Sequence, residues 1–202
     1  MTPPPPVPRP DGGRRLRAVR RTCTLDAPAE VVWRALRSPA TLVHVAAPVL
    51  RMPALEGRHR PWQQGESVST RLLLLGVLPL SQHTLRIDVL DDAAMTARTE
   101  EHGGPVSVWR HHITVEPAGP TTCRYTDEVE VGAGRLTGLV QALAGGFFRW
   151  RQHRWRQLAP VLAAATSPGR AWGRFPRGGP PSAARIRAGI SPGRAPAGSR
   201  RC

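Results

Sequence analysis

The apolar residues of this chain change their spacing after residue 131, and that change limits the folds that the chain can adopt. Between residues 49 and 131 they recur in short runs of the kind that form β-strands. From Arg135 to about Ala164 the spacing becomes that of one α-helix, which at 1.5 Å per residue would be roughly 45 Å long. Gly145 and Gly146 interrupt this pattern and indicate a bend or a close approach to a bulky group. A sheet covered by one long terminal helix is therefore predicted.

The elements before the long helix follow a simple order. Residues 17–25 alternate as a first strand, and Asp26 is expected to cap a short helix that ends near Leu36. A second short helix is predicted at about 40–46. Short Gly, Pro and Asp turns then separate six further strands, at about 49–56, 66–75, 80–90, 94–101, 106–116 and 121–131. The predicted fold class is α+β, with a curved antiparallel sheet of about seven strands gripping the C-terminal helix.

The charge distribution separates a folding part from two basic ends. The chain has 29 basic residues, all arginine, against 14 acidic ones, for a net charge of +15. Residues 166–202 contain no acid and are rich in Arg, Pro and Gly, while residues 1–15 are rich in Pro. We therefore expect a disordered arm at 1–15, a ligand-binding domain at 16–165 and a disordered tail at 166–202.

Several classes of protein are not expected. No apolar run approaches the roughly 20 residues of a membrane span, and no apolar leader precedes the first strand, so a cytoplasmic protein is predicted. Cys23, Cys123 and Cys202 form neither a disulfide framework nor a metal-ligand spacing. Since the chain also lacks a Gly-rich phosphate loop, no metal and no cofactor is predicted.

Several stretches of the sequence carry a family resemblance. Leu25–Trp33 reads LDAPAEVVW, and Gly104–His112 reads GPVSVWRHH. The first is similar to the strand-to-helix signature of the SRPBCC superfamily, the helix-grip fold of START domains, polyketide cyclases and birch-pollen-type allergens. The second resembles one branch of that superfamily, as do the Tyr125 and Asp127 region and the Phe148–Arg151 segment. The resemblance covers about residues 16–165 and implies a pocket between the sheet and the long helix.

Strand alternation predicts which side chains face that pocket. The inward faces are apolar except for His83, His111 and Asp127. A hairpin through residues 117–120 would pair Val115 with Cys123, which places His111 opposite Asp127. A buried carboxylate needs a partner, and His111 and Arg151 are the two candidates. The pair would either fix the sheet or orient a ligand. Trp33, Cys23 and Cys123 are expected in the core.

Three functions remain open from the sequence. The first is binding of a small hydrophobic or amphipathic ligand, at a site formed by His83, Leu85, Trp109, His111, Tyr125, Asp127, Phe148 and Arg151. The second is a polyketide cyclase or dehydratase in which His111 and Asp127 act as a catalytic acid–base pair. The third is contact with RNA, a ribosome or an anionic membrane through the basic tail and the helix residues Arg149, Arg151, His153, Arg154 and Arg156, interleaved with Trp150 and Trp155.

Overall fold

The computed structural model describes residues 16–166. The predicted arm at 1–15 lies outside the described residues, as does the predicted tail at 166–202 apart from Thr166, which is the last residue of the long helix. The described elements are β1 (Arg17–Leu25), α1 (Ala29–Leu36), α2 (Pro39–Ala46), β2 (Leu50–Arg51), β3 (Ser67–Leu74), β4 (Leu78–Asp91), β5 (Thr96–Gly103), β6 (Val106–Gly119), β7 (Thr122–Gly132) and α3 (Thr137–Thr166). This order confirms the predicted α+β class, with two short helices after the first strand and one long helix at the end.

The seven strands form one antiparallel sheet in the order β1-β7-β6-β5-β4-β3-β2. Hairpins join β3, β4, β5, β6 and β7 in succession, and a longer connection of residues 52–66 separates β2 from β3. Strand β1 pairs with β7 along its whole length. Helix α3 crosses the concave face and packs chiefly on β1 and β7, with α1 and α2 beside it. This arrangement is the predicted helix-grip fold, in which the inner face of the sheet is covered by the helix.

The strand predicted at 49–56 is mostly not a strand. Only Leu50 and Arg51 pair with β3, and a 3-10 turn follows at Pro53–Leu55. Proline lacks the N–H that a sheet ladder requires, so Pro53 ends the pairing. Met52 and Leu55 instead insert into an apolar cluster with Trp62.

The first helix is anchored through a buried tryptophan. Its N-cap is Pro28, without a side-chain cap, so the prediction that Asp26 caps this helix was wrong. Trp33 is 6% exposed and its indole Nε1 donates to Asp92 Oδ1 over 2.8 Å. The expectation that Trp33 belongs to the core is confirmed, as is the burial of Cys23 and Cys123.

Helix α3 is continuous through its two glycines, as the single predicted helix requires. A Cβ at Gly145 would lie 3.7 Å from Arg21 Nη2, an ordinary van der Waals distance, and one at Gly146 would meet nothing within 4 Å, so the expected close approach of a bulky group is not observed at either glycine. The buried residues of the helix are concentrated in its second half, from Phe148 to Ala159. Within residues 16–166 no helix combines the length and the hydropathy needed to cross a bilayer.

Candidate functional site

Five polar side chains are buried where α3 crosses β6 and β7. We call this group the seam cluster; it consists of His111, Tyr125, Asp127, Arg151 and Gln152. Strand alternation places Tyr125 and Asp127 on the same inward face of β7. Consecutive helix residues Arg151 and Gln152 reach that face from above, one turn after Phe148. Asp127 is 1% exposed and Arg151 is 6% exposed, so the cluster is closed to solvent.

Asp127 is the centre of this network. Its Oδ1 accepts hydrogen bonds from His111 Nε2 at 2.9 Å and from the Tyr125 hydroxyl at 2.8 Å. Gln152 Nε2 lies 3.4 Å from Oδ2. Arg151 Nη2 donates to the Tyr125 oxygen over 3.1 Å, while its Nε lies 4.0 Å from Asp127 Oδ1. That Nε is buried without a hydrogen-bond partner, so one donor in the cluster is left unused.

The predicted register of the β6–β7 hairpin was wrong by two residues. His111 lies opposite Val129, and Asp127 lies opposite Ile113. The strands continue farther into the turn than predicted, because Gly119 already pairs with Thr122 across an irregularity after Pro117. A shift by an even number of residues keeps every side chain on its predicted face. The His111–Asp127 hydrogen bond therefore forms diagonally rather than directly across the ladder.

The network fixes the charge of its carboxylate. Burial by itself raises the pKa of Asp127, but the Arg151 charge and the hydrogen bonds from His111 and Tyr125 outweigh it, so that pKa lies below its ordinary value. An ionised Asp127 can only accept hydrogen bonds, which assigns the donated proton to His111 Nε2. Burial and the nearby Asp127 charge raise the pKa of Tyr125 well above its ordinary value, which keeps the phenol protonated as a donor.

A second carboxylate stands beside the seam cluster. Glu101 Oε2 lies 2.8 Å from His83 Nε2, and Glu101 Oε1 accepts a hydrogen bond from the Thr99 hydroxyl over 2.7 Å. Burial raises the pKa of Glu101, yet the hydrogen bond and charge of His83, with the charge of His111, bring it below its ordinary value. The negative charge of Glu101 also favours the charged form of Arg151, so the Glu101–His83 pair and the seam cluster interact electrostatically.

Sequence reasoning missed Glu101, Thr99 and Gln152. The signal for the first two was present, because alternation along β5 places Ala97, Thr99 and Glu101 on one buried face. Gln152 follows Phe148 by four residues, which is the spacing of side chains that share a helix face.

The structure brings most of the predicted site residues together. Phe148 packs against His111 with ring centroids 4.9 Å apart and against Trp109 at 6.0 Å. The Arg151 guanidinium carbon lies 5.7 Å from the Phe148 ring centre. His83 joins the group only through Glu101. Leu85 lies apart, in the apolar cluster that contains Met52, Trp62 and Ile87.

The predicted basic surface at the end of the helix is smaller than expected. Arg151 and Trp155 face the sheet and are buried, so neither can contact RNA or a membrane. Arg154 is half-buried and bonds to His44. Arg149 lines two open clefts, of ≈ 460 and ≈ 450 Å³, that lie beside the helix and away from the seam cluster. In the part of the chain that the structure describes, no three potential metal ligands are grouped.

The seam cluster can therefore do two kinds of chemistry. Its fixed donors can bind a polar group that enters an apolar interior, since a hydrogen bond is stronger where water is excluded. Its carboxylate also orients an imidazole, which is the arrangement that general acid–base catalysis requires.

Solved structures of known proteins share this architecture. Norcoclaurine synthase from Thalictrum flavum, in complex with dopamine and hydroxybenzaldehyde, superposes with a TM-score of 0.57 at 14% identity over 80% of this chain and 98% of that one. Ara h 8.0201 superposes at 0.51 with 13% identity, over 71% and 99% of the two chains. The di-domain ARO/CYC BexL of the BE-7585A biosynthetic pathway gives 0.55 with 18% identity, over 70% and 45%. At these identities the likeness establishes the fold alone, and it confirms the predicted helix-grip architecture of the SRPBCC superfamily.

Sequence comparison identifies the family to which the chain belongs. No curated protein sequence matches the chain significantly. Residues 23–159 match the family described as Domain of unknown function (DUF8410). That match begins in β1 and ends in the last turns of α3, so it spans the sheet, the seam cluster and most of the helix. The chain therefore belongs to the DUF8410 family and has the helix-grip fold.

Proposed function

We propose that this domain binds a small amphipathic molecule between the sheet and helix α3, with the polar end of the molecule at the seam cluster. The observation that carries this proposal is the buried Arg151 Nε, a donor without a hydrogen-bond partner that lies 4.0 Å from Asp127 Oδ1. A buried donor without a partner costs free energy, and a ligand oxygen would remove that cost. A carbonyl, phenol or carboxylate oxygen has the acceptor chemistry that this donor requires.

The apolar part of the ligand would lie on the inner-face side chains that are not fully buried. Trp109, Phe147 and Val140 are half-buried against the cluster of Val129 and Phe148. Phe147 also packs against the separate cluster of Leu85 and Leu72. These side chains have fewer neighbours than core residues, and their rearrangement would admit an aromatic or aliphatic body.

The test is a search for bound compounds, followed by a pair of matched variants. Native mass spectrometry of the purified full chain is expected to show added mass, and solvent extraction should release the compound. Anilinonaphthalene sulfonate serves as an amphipathic probe. Arg151→Met is expected to reduce its binding about tenfold, on the basis of one lost charged contact. Arg149→Met, two residues away on the exposed side of the helix, should bind the probe normally.

Two outcomes would contradict ligand binding at the seam cluster. One is a native chain that carries no added mass and binds no probe. The other is equal probe binding by the Arg151 and Arg149 variants. Should Arg151→Met fail to fold, Trp109→Leu replaces it, because Trp109 is half-buried and makes no contact with Asp127 that the structure records.

A second candidate, cyclase-type catalysis, rests on the His111–Asp127 hydrogen bond alone. Asp127 would hold the imidazole with Nε2 protonated, so that Nδ1 would exchange a proton with the substrate. Norcoclaurine synthase and the ARO/CYC protein named above share the fold, and their chemistry is not transferred by that likeness. The compound recovered from the native chain, incubated with wild type and with Asp127→Asn, separates the candidates. Catalysis predicts a product that only the wild type forms, with a changed retention time for a cyclisation and a loss of one water for a dehydration.

A further inference from the structure

One end of the sheet carries an exposed apolar surface that the site does not use. The β3–β4 turn, the β5–β6 turn and the start of α3 lie at this same end, since Leu74 pairs with Leu78, Gly103 with Val106, and Val108 with Gly132 in one antiparallel sheet. Seven of the eight large apolar side chains that are strongly exposed in the described residues belong to this end. We call them the apolar end: Leu75, Val77, Leu78, Leu80, Leu136, Leu139 and Leu143.

The β3–β4 hairpin tip is the centre of this surface. Val77 is 80% exposed and Leu75 is 66% exposed. Leu75 and Gly76 both have positive φ, and Val77 N donates to Leu74 O, which defines a tight type I′ turn. Asn, Asp or Gly is favoured at the first central position of that turn, so neither burial nor turn chemistry accounts for a leucine there. This chain therefore has an apolar side chain at a position where the turn does not require one.

Two of the segments that form the apolar end contain no acid. No acidic residue occurs from Ser67 to Ile87, and none follows Glu130 to the end of the chain. Arg71 and Arg135 are exposed within these two acid-free segments. Arg51, whose side chain lies 3.8 Å from a Cβ built at Gly76, is the exception, because Glu56 neutralises it. An apolar surface with cationic flanks is complementary to an anionic, lipid-covered surface.

We propose that the apolar end docks on anionic membranes by inserting the β3–β4 hairpin tip into the lipid interface. The tip is convex and aliphatic, and it carries none of the aromatic anchors that concentrate binding energy in protein interfaces. A lipid interface accepts such a tip without a shaped pocket. Insertion would bury Val77 and Leu78 while the flanking arginines reach the lipid phosphates. This inference does not depend on the proposed ligand site, because the two involve different residues.

The test compares the vesicle affinities of two aspartate variants of the full chain, each made at an exposed valine. Val77 and Val161 are both exposed, at 80% and 64%, but Val161 lies near the end of α3, away from the hairpin. On vesicles of phosphatidylcholine with phosphatidylglycerol, Val77→Asp should lower the affinity at least about tenfold, and Val161→Asp about twofold at most. Both variants add the same charge and keep the same basic tail, so attraction by the tail cancels. Pure phosphatidylcholine vesicles should bind the wild type more weakly.

A second measurement reports insertion directly. Val77→Cys, in a chain that also carries Cys202→Ser, is labelled with an environment-sensitive fluorophore. Burial raises the pKa of the Cys23 thiol to about 12 and that of Cys123 to about 11, so these two should not react. The emission should shift to the blue on anionic vesicles for Val77→Cys and stay unchanged for Val161→Cys.

Three results would overturn membrane docking. The first is equal vesicle affinity of the two aspartate variants, which would assign binding to charge alone. The second is an absent blue shift at position 77. The third is a wild-type dimer in solution that Val77→Asp converts to a monomer, which would assign the tip to a second copy of the chain.

Discussion

The seam cluster and the apolar end depart from the usual distribution of residues in opposite ways. At the seam, Asp127 and Arg151 are ionised and buried, where apolar side chains are the rule. At the apolar end, Val77 and Leu139 are in solvent, although nothing in the turn or the helix requires them there. Helix α3 contributes to both, because its first half exposes leucines and its second half buries Arg151 and Gln152.

The difference lies in where each region finds its partners. The carboxylate of Asp127 has donors from β6, β7 and α3, so the seam is nearly complete within the chain. The leucines and valine of the apolar end have no comparable cover within the described residues. The first region is therefore expected to control stability, and the second to control association. The predictions below separate these two roles.

The largest effect is expected from Asp127→Ala. Removing this carboxylate leaves Arg151 and His111 buried without their acceptor, and breaking a buried pair in this way costs about 3–5 kcal/mol. The free energy of unfolding, from denaturant titration, measures it. Glu128→Ala is the control, because Glu128 is the next residue and faces outward, where its ion pair with Arg20 at 3.4 Å is exposed. That pair should contribute about 1 kcal/mol or less. Equal losses in both variants would show that the seam is not a structural anchor.

A smaller effect is expected from Asp127→Asn, and it should depend on pH. The amide keeps the shape and one acceptor, so the loss should be about 1–3 kcal/mol at neutral pH. Because the folded pKa of Asp127 is lowered, its contribution is fully present above the ordinary carboxyl pKa of about 4 and is lost as the pH falls through the folded pKa. The wild type should therefore lose more stability on acidification than the variant. If the free energy of unfolding falls equally with decreasing pH in the wild type and in Asp127→Asn, the pKa of Asp127 is not lowered in the folded protein.

Much of the seam could be predicted from sequence, because alternation and helical spacing are local properties. The faces of β6 and β7 follow from alternation alone, and His111 and Asp127 meet despite the wrong register since the error was even. In β4 alternation holds only as far as Ile87, because the irregularity that follows turns Leu90 toward the core. Glu101 could have been found by applying the same alternation to β5. The register itself depends on how far the strands continue past Pro117, and a turn with several compatible lengths does not fix that.

The apolar end was not predicted, because its sequence has no alternation to interpret. Leu72–Leu75 is a continuous apolar run, which is compatible with a strand buried on both faces. Only the three-dimensional arrangement shows that no layer covers the tip. The strand predicted at 49–56 failed for a related reason, since apolar content alone does not distinguish β2 from the 3-10 turn that follows it.

A small stabilisation is expected where the two halves of α3 join. Gly146 is exposed in the helix, and a Cβ there meets nothing within 4 Å. Gly146→Ala should therefore raise the free energy of unfolding by about 0.5–1 kcal/mol, through helix propensity and a less flexible unfolded chain. Thermal and denaturant unfolding would both report it. A loss of vesicle or probe binding in this more stable variant would show that the glycine pair allows the two halves to move.

The smallest effect on stability is expected from Val77→Asp, the substitution with the largest expected effect on vesicle binding. Val77 is 80% exposed, so aspartate removes almost no buried apolar area and leaves no buried charge. Its free energy of unfolding should stay within about 0.5 kcal/mol of the wild type. A loss of several kcal/mol would mean that the tip packs against something in the free protein, which would remove the distinction between a self-sufficient seam and an unpartnered end. An unchanged stability, together with a gain in solubility, would indicate that the apolar tip serves a contact outside the folded domain.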